Sequence, residues 1–271
     1  MNIRLIFVVF LSSAVPSFAS FEGYETGSRA KSLGNAFVGL ADDCWAIYYN
    51  PAGLARINQN NFSFFYLPNQ FGLSELTTAA IAGSYSTQFG TFGVGVRKFG
   101  FELYKELSVT VSYANNVAGI YFGANLNYNH LAIRGYGSDA AIGLDAGVLL
   151  PLIKNLYLGV AAKNVNIPTI GKSKEKLPQV FSTGISYTPV NNLILLVDYQ
   201  KELGFDASPK FGAEYKIFDM LSLRFGVSDN PTSFASGVGI EIAFVHFDYA
   251  LFTHQELGIS HSATITFRWG N

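Results

Sequence analysis

Cysteine is nearly absent: Cys44 stands alone, so no disulfide can form within the chain. Charge is also scarce. Asp, Glu, Lys and Arg make up 14% of the 271 residues, against about 25% in ordinary soluble domains. The formal net charge is −1. Nucleic acid is thereby excluded as a partner, because binding phosphates needs clustered Lys and Arg. Long apolar runs are missing too. The longest, near the N-terminus, falls far short of the ~20 residues of a membrane-spanning helix. The four histidines, His130, His246, His254 and His261, show no metal-ligand spacing. His246 and Asp248 share one face, but no motif places a nucleophilic Ser with them. Gly27 and Gly34 follow no strand and precede no Gly-Lys-Ser/Thr, so they make no phosphate loop. No catalytic residue, metal or cofactor is expected, and the chain reads as a non-enzyme.

What is abundant is aromatic surface: 24 Phe and 15 Tyr, with aromatics at 15% of the chain. A soluble protein would have trouble hiding that much, whereas a barrel facing lipid need not hide it. The first residues read as a signal peptide over 1–19. Arg4 supplies the positive start, Leu5 to Leu11 the apolar stretch, and Ser17-Phe18-Ala19 a small-x-small cleavage site. An exported, integral outer-membrane protein is the expectation, with outer-membrane lipid as its surroundings.

Residues 20–58 are rich in small residues and lack periodicity. They carry Gly27, Gly34 and Gly39, then Asp42-Asp43, then Asn50-Pro51-Ala52-Gly53. Asp42 or Asp43 is expected to N-cap a short helix through Tyr48. Pro51 disfavours helix at Asn50, and Gly53 permits a turn.

From residue 59 to 271 the pattern is period two. Leu107, Val109, Val111 and Tyr113 alternate with Ser108, Thr110 and Ser112. Val245, Phe247, Tyr249 and Leu251 alternate with His246, Asp248 and Ala250. Such alternation marks strands with one apolar and one polar face. About fourteen segments follow, an even number, as a single-chain bacterial barrel requires. Tight connections (Gly90, Asn115-Asn116, Pro151–Asn155, Pro189–Asn192, Phe218-Asp219, Ala243-Phe244) alternate with longer ones such as Pro68–Glu75 and Asn166–Leu177. A soluble β-sandwich would not need this rhythm. The expected fold is therefore all-β: a transmembrane antiparallel β-barrel of about fourteen strands with the N-terminal segment as a plug in its lumen.

The inward phase of these strands carries Arg97, Asp198, Glu214, Arg224, Glu241, His246, Asp248 and Arg268. They are read as lumen-lining charges, either a selectivity lining or, as favoured here, ion pairs between neighbouring strands. Gly93 and Gly95 mark a possible kink, read as a lateral opening, in the wall of the third strand, because glycine weakens pairing; packing of small residues beside a bulky plug or neighbouring aromatics is the other reading, favoured here.

The run from Gly27 through Asp43 and on through Tyr49-Asn50-Pro51-Ala52-Gly53-Leu54-Ala55 resembles the N-terminal plug of PorV/PorQ-like outer-membrane barrels, in the FadL superfamily. The stretches Gly237–Ile242, Phe247–Ala250, Leu257-Gly258 and His261-Ser262 resemble that family's last hairpins. The resemblance implies a fourteen-strand barrel with an N-terminal hatch. It also implies one of two roles: passive transport of hydrophobic or amphipathic molecules, or an accessory barrel of a type IX-like secretion system that docks machinery proteins. The partner is correspondingly a hydrophobic small molecule or secretion-machinery proteins. The long extracellular loops of members that capture fatty acids are lacking here.

Overall fold

The computed structural model describes residues 20–270; the signal-peptide reading of 1–19 lies outside the described residues. Before the first strand come two short helices, α1 (Ser28–Ser32) and α2 (Ala46–Tyr49), and a 3₁₀ turn, Pro51–Arg56. The strands that follow are β1 (Asn60–Leu67), β2 (Thr78–Thr87), β3 (Gly90–Gly100), β4 (Tyr104–Val117), β5 (Ile120–Ile133), β6 (Gly137–Ile153) and β7 (Leu156–Lys163). A two-residue pair, β8 (Thr169–Ile170) and β9 (Glu175–Lys176), sits inside a loop. The chain continues with β10 (Val180–Val190), β11 (Leu193–Glu202), β12 (Ser208–Phe218), β13 (Leu221–Ser228), β14 (Ser233–Ile242), β15 (Val245–His254) and β16 (Gly258–Trp269).

Fourteen of these strands form one closed antiparallel barrel in sequence order; β7 pairs directly with β10, and β1 with β16. Closure is a matter of register: Phe64 sits opposite Ile81 on one side and Ile265 on the other. No strand of the barrel is left with an open edge, which removes the unpaired backbone groups that make edges hazardous.

The wall inverts the burial pattern of a soluble sheet. In β4, Thr110 is 2% exposed and Ser112 1%, while Val111 between them is 51% exposed. In β15, His246 and Asp248 are buried and Phe247 is exposed. In these strands polar side chains point in and apolar ones point out, the arrangement of a wall whose outer solvent is hydrocarbon; elsewhere Phe65, Leu67, Leu196 and Phe252 also lie on the buried face and join a core with residues of the N-terminal segment. Inside, the polar face satisfies itself by cross-strand bonds: Ser108 to Asn129 (2.8 Å), Thr110 to Asn127 (2.7 Å) and Ser112 to Asn125 (2.5 Å).

The two ends differ. Every connection at one end is two residues long, as at Ala118-Gly119 and Ala243-Phe244; the other end carries the longer loops, including 68–77 and 164–179. The expected turn at Asn115-Asn116 is displaced. Both residues pair within β4, and the turn falls at Ala118 (φ 52°) and Gly119 (φ 85°), a geometry in which glycine costs nothing. The β8–β9 pair leaves no periodic trace in the sequence, because each strand is two residues long.

Val111 is an outward residue midway along β4, with Thr110 and Ser112 inward on either side. Val111→Arg is expected to destabilise the inserted barrel by about 2–4 kcal/mol. Urea titration in lipid vesicles measures it. A Thr110→Val control changes no outward residue and should leave insertion intact.

Candidate functional site in the barrel lumen

A barrel of about eight strands fills its interior with its own side chains, and diameter grows with strand number. Fourteen leave a gap here, and residues 20–57 pack into it. Leu33, Ala36, Phe37, Ala41, Ala46, Ala52 and Leu54 are all at most 1% exposed. Their partners lie all round the wall. Ser28 N donates to Thr264 Oγ1 at 2.9 Å, and Ser28 Oγ to Ser262 Oγ at 3.0 Å, both on β16. The backbone N–H groups of Phe37 and Val38 both donate to Asp198 Oδ2 on β11, each at 2.7 Å. Asn125 on β5 donates to Ile47 O at 2.8 Å, and Asn50 donates to Val148 O on β6 at 3.1 Å.

Close approach needs glycines on the inner face. A Cβ at Gly226 would lie 2.0 Å from Gly34 N, one at Gly159 2.2 Å from Val38 O, and one at Gly123 2.4 Å from Pro51 C. Gly147, Gly184 and Gly212 meet Asn50, Gly39 and Leu33 in the same way. Gly93 and Gly95 belong to this set: a Cβ there would meet Leu54 Cδ1 at 2.8 Å and Tyr48 Oη at 2.6 Å. Along both neighbours, β2 and β4, the register of β3 runs without a shift. At both positions the missing side chain leaves room for the segment. Sequence reasoning singled out only these two; the available signal was an inward-phase glycine recurring from strand to strand.

The inward charges divide into three groups. Glu214 on β12 is the centre of the first. It accepts from Arg29 Nε (2.8 Å) and Nη2 (2.9 Å), and from Arg224 Nε (2.5 Å) on the neighbouring strand. Arg224 Nη1 reaches on to Asp248 Oδ1 at 2.7 Å, and Arg29 Nη1 to Asp42 Oδ1 at 2.5 Å. The second group serves the segment's backbone or closes on the wall itself: Asp198 as above, and Arg97 with Glu106 at 3.5 Å. The third lies toward the short-turn rim. Glu241 is exposed and 3.4 Å from His246 Nε2, and half-buried Arg268 makes no ion pair among the described residues. Sequence reasoning missed Arg29, the cation that the segment itself contributes.

The motif residues of the segment differ from expectation in one respect. Neither Asp42 nor Asp43 is the N-cap of α2; Trp45 is. Asp43 Oδ1 instead accepts from Trp45 N at 2.9 Å, and Asp42 is drawn to Arg29, whose charge outcompetes a neutral N–H. Asn50 is extended (φ −151°), and its side chain accepts from Ala52 N at 3.2 Å, starting the 3₁₀ turn that holds Pro51, Ala52 and Gly53. A Cβ at Gly53 would fall 1.9 Å from Ala41 O, so this turn and the chain at Ala41 touch through a glycine.

At the long-loop end a cavity of about 600 Å³ remains between the segment and β11–β15, lined by Glu25, Lys31, Glu202, Phe205, Lys210 and Phe252 among others. Lys210 Nζ donates to Glu25 Oε1 at 2.7 Å, and Lys31 Nζ lies 3.8 Å from Glu25 Oε2. Burial alone would raise the Glu25 carboxyl, but the two ammonium groups hold it down at about 2. Among the described residues, no cluster of side chains suits a metal ion.

No protein-family model matches the chain. It is similar to a UPF0164 protein of Treponema pallidum (strain Nichols), 28% identical over 188 residues, which is 58% of this chain and 46% of that protein. The chain thus spans about half the length of that curated relative. Solved structures share the fold. The Ralstonia pickettii toluene transporter TbuX has a TM-score of 0.66 at 16% identity, covering 91% of this chain and 98% of its own. The CymD monoaromatic hydrocarbon channel has a TM-score of 0.67 at 14% identity, covering 93% and 99%. A Pseudomonas aeruginosa FadL homologue has a TM-score of 0.62 at 11% identity, covering 90% and 97%. The closed β-barrel architecture of this chain is therefore shared with these three proteins.

Removing Glu214 would leave Arg29 and Arg224 buried without their shared carboxylate. Glu214→Ala is expected to destabilise the protein by about 3–5 kcal/mol. Gly226→Val should lose about 1–3 kcal/mol through overpacking against Gly34. Thermal unfolding in detergent measures both, with limited proteolysis reporting whether residues 20–57 are released first.

Proposed function

We propose that the chain is an integral outer-membrane barrel for passive passage of hydrophobic or amphipathic molecules, and that residues 20–57 are its plug. The observation that carries this reading is the inverted wall. Apolar side chains cover the outside of a closed barrel that turns most of its polar ones inward, and such an outer surface needs a bilayer around it. The cavity at the long-loop end fits the role of a first binding place. It combines Phe71, Phe205 and Phe252 with carboxylates and ammonium groups, a lining suited to a molecule with an apolar body and a polar end. Hydrocarbon is the cargo class named for the proteins of similar fold, TbuX and CymD. At their low identity they bring the fold, and the cargo class is adopted here as part of the proposal. The signal-peptide reading of 1–19 supplies the export route to the outer membrane.

A second reading has one observation in its favour. Residues 20–57 occupy much of the lumen and are tied to the wall by buried ion pairs, as suits a closed barrel that docks partner proteins, such as secretion machinery, through its loops. The two readings part on permeability. Cells bearing the full chain in their outer membrane should take up a monoaromatic hydrocarbon such as toluene faster than cells that lack it. Equal rates would favour the docking barrel. Deleting residues 20–57 while keeping 1–19 should raise ion conductance in planar bilayers well above the full-length level. Unchanged conductance from a normally inserted deletion variant would contradict the plug.

A further inference from the structure

The outer wall carries charge of one sign. Among the described residues, the charged side chains on the outward phase of the barrel strands are Lys98 of β3, Lys105 of β4 and Lys201 of β11, while the carboxylates of these strands fall on the inward phase with Glu106, Asp198 and Glu214. Each of the three lysines lies within two residues of its strand's terminus at the long-loop end. Lys201 Nζ donates to the carbonyl of Phe205. Lys98 and Lys105 are exposed and make no ion pair among the described residues; Glu102, in the loop between their strands, is held by Arg134 at 2.6 Å.

Lys98 stands opposite Leu107 and Lys105 opposite Gly100, so the two are diagonal neighbours about 7–8 Å apart. In a medium of low dielectric each ammonium disfavours the other, and an anion between them removes that repulsion. Long stems let either ammonium reach water; the wall beside Lys98 is what selects a lipid. There the outer face is hollowed into an open trough of about 430 Å³ that runs from Phe247 on β15 to Lys98 on β3. The register explains it. Along one row, Lys98 is opposite Ala79, Ala79 opposite Tyr66, and Tyr66 opposite Ala263. The two alanines leave gaps on either side of Tyr66, and Phe64, Ile81 and Ile265 line the next row toward the short turns. Lys98 is the charged residue of this lining. An apolar trough with a cation at one side complements an amphiphile that has a hydrocarbon chain and an anionic head.

We propose that this face binds a lipid of the surrounding bilayer whose phosphate head carries net negative charge. The phosphate lies between Lys98 and Lys105, and an acyl chain lies in the trough over Ala79 and Ala263. This rests on the membrane reading of the wall and is independent of what the lumen carries.

Native mass spectrometry of the full chain released from detergent tests it. Dioleoyl phosphatidylglycerol and dioleoyl phosphatidylcholine are the probes, sharing their chains and differing in net charge. Phosphatidylglycerol should bind at the lower lipid concentration. Lys98→Gln and Lys105→Gln should each raise its dissociation constant about fivefold, which is about 1 kcal/mol per lysine. Lys201→Gln removes the same charge elsewhere on the outer wall and should leave the constant unchanged. Ala79→Leu keeps both lysines, fills the trough and should weaken both lipids. The inference is overturned if the two lipids bind alike, if Lys201→Gln weakens phosphatidylglycerol as much as Lys98→Gln does, or if Ala79→Leu changes neither. A chain that stays in solution without detergent contradicts the membrane reading itself, and this inference with it.

Discussion

A closed fourteen-strand barrel encloses more space than its inward side chains can fill, and the rest of this structure follows from that constraint. Alternate residues of a strand point to opposite sides, and here the outer face is apolar while the inner one carries most of the polar side chains, with Phe65, Leu67, Leu196 and Phe252 among them. A polar inner face in an incompletely filled lumen needs partners. The chain supplies them from its own residues 20–57, with Arg29 reaching Glu214 and two backbone N–H groups reaching Asp198. Burying these charges is unfavourable unless each is paired and hydrogen-bonded. The Arg29–Glu214–Arg224–Asp248 chain meets that requirement by joining segment and wall in one network.

The same constraint explains the glycines. A segment that runs across the inner face must bring its backbone against the backbone of the wall, and any side chain between them holds the two apart. Gly226 facing Gly34 and Gly184 facing Gly39 are pairs in which both sides give up the side chain. Glycines therefore set how near the segment lies, while Asp198, Glu214 and Ser262 set where along the wall it stops. Removing one partner of such a buried pair is costly, because it leaves the other charge uncompensated.

Much of the wall was legible in the sequence because its signal is strict. Ser108-Val109-Thr110-Val111-Ser112 has one possible reading as a strand, and a one-residue slip would turn every polar side chain outward. Strand bounds follow within a few residues; Asn115-Asn116 misled because asparagine is common in turns, while the φ > 0 positions were the neighbouring Ala118 and Gly119. The lumen was legible only in part. Asp198, Glu214, Arg224 and Asp248 could be placed on the inward phase by counting twos. Which of them meet cannot be counted, because the meeting depends on how an aperiodic segment folds across the barrel. Arg29 was overlooked for that reason: nothing local to Ser28–Ser32 points to a carboxylate 185 residues away. Gly93 and Gly95 drew attention as weak points in a strand, but their meaning lay in Leu54 and Tyr48.

The central claim is that residues 20–57 are fixed against the inner wall in the folded protein within its membrane. Ser28 Oγ and Ser262 Oγ lie 3.0 Å apart, so cysteines at these two positions place their sulfurs within reach of a bond. The direct measurement is oxidation of a Ser28→Cys, Ser262→Cys variant in isolated membranes, with Cys44→Ser removing the native thiol, followed by mass spectrometry of the digested protein. The account predicts a 28–262 cross-linked peptide in most molecules, and none when Ser28→Cys is paired instead with a cysteine at the outward position Ile265. Free thiols at 28 and 262 in the inserted, oxidised protein would contradict it.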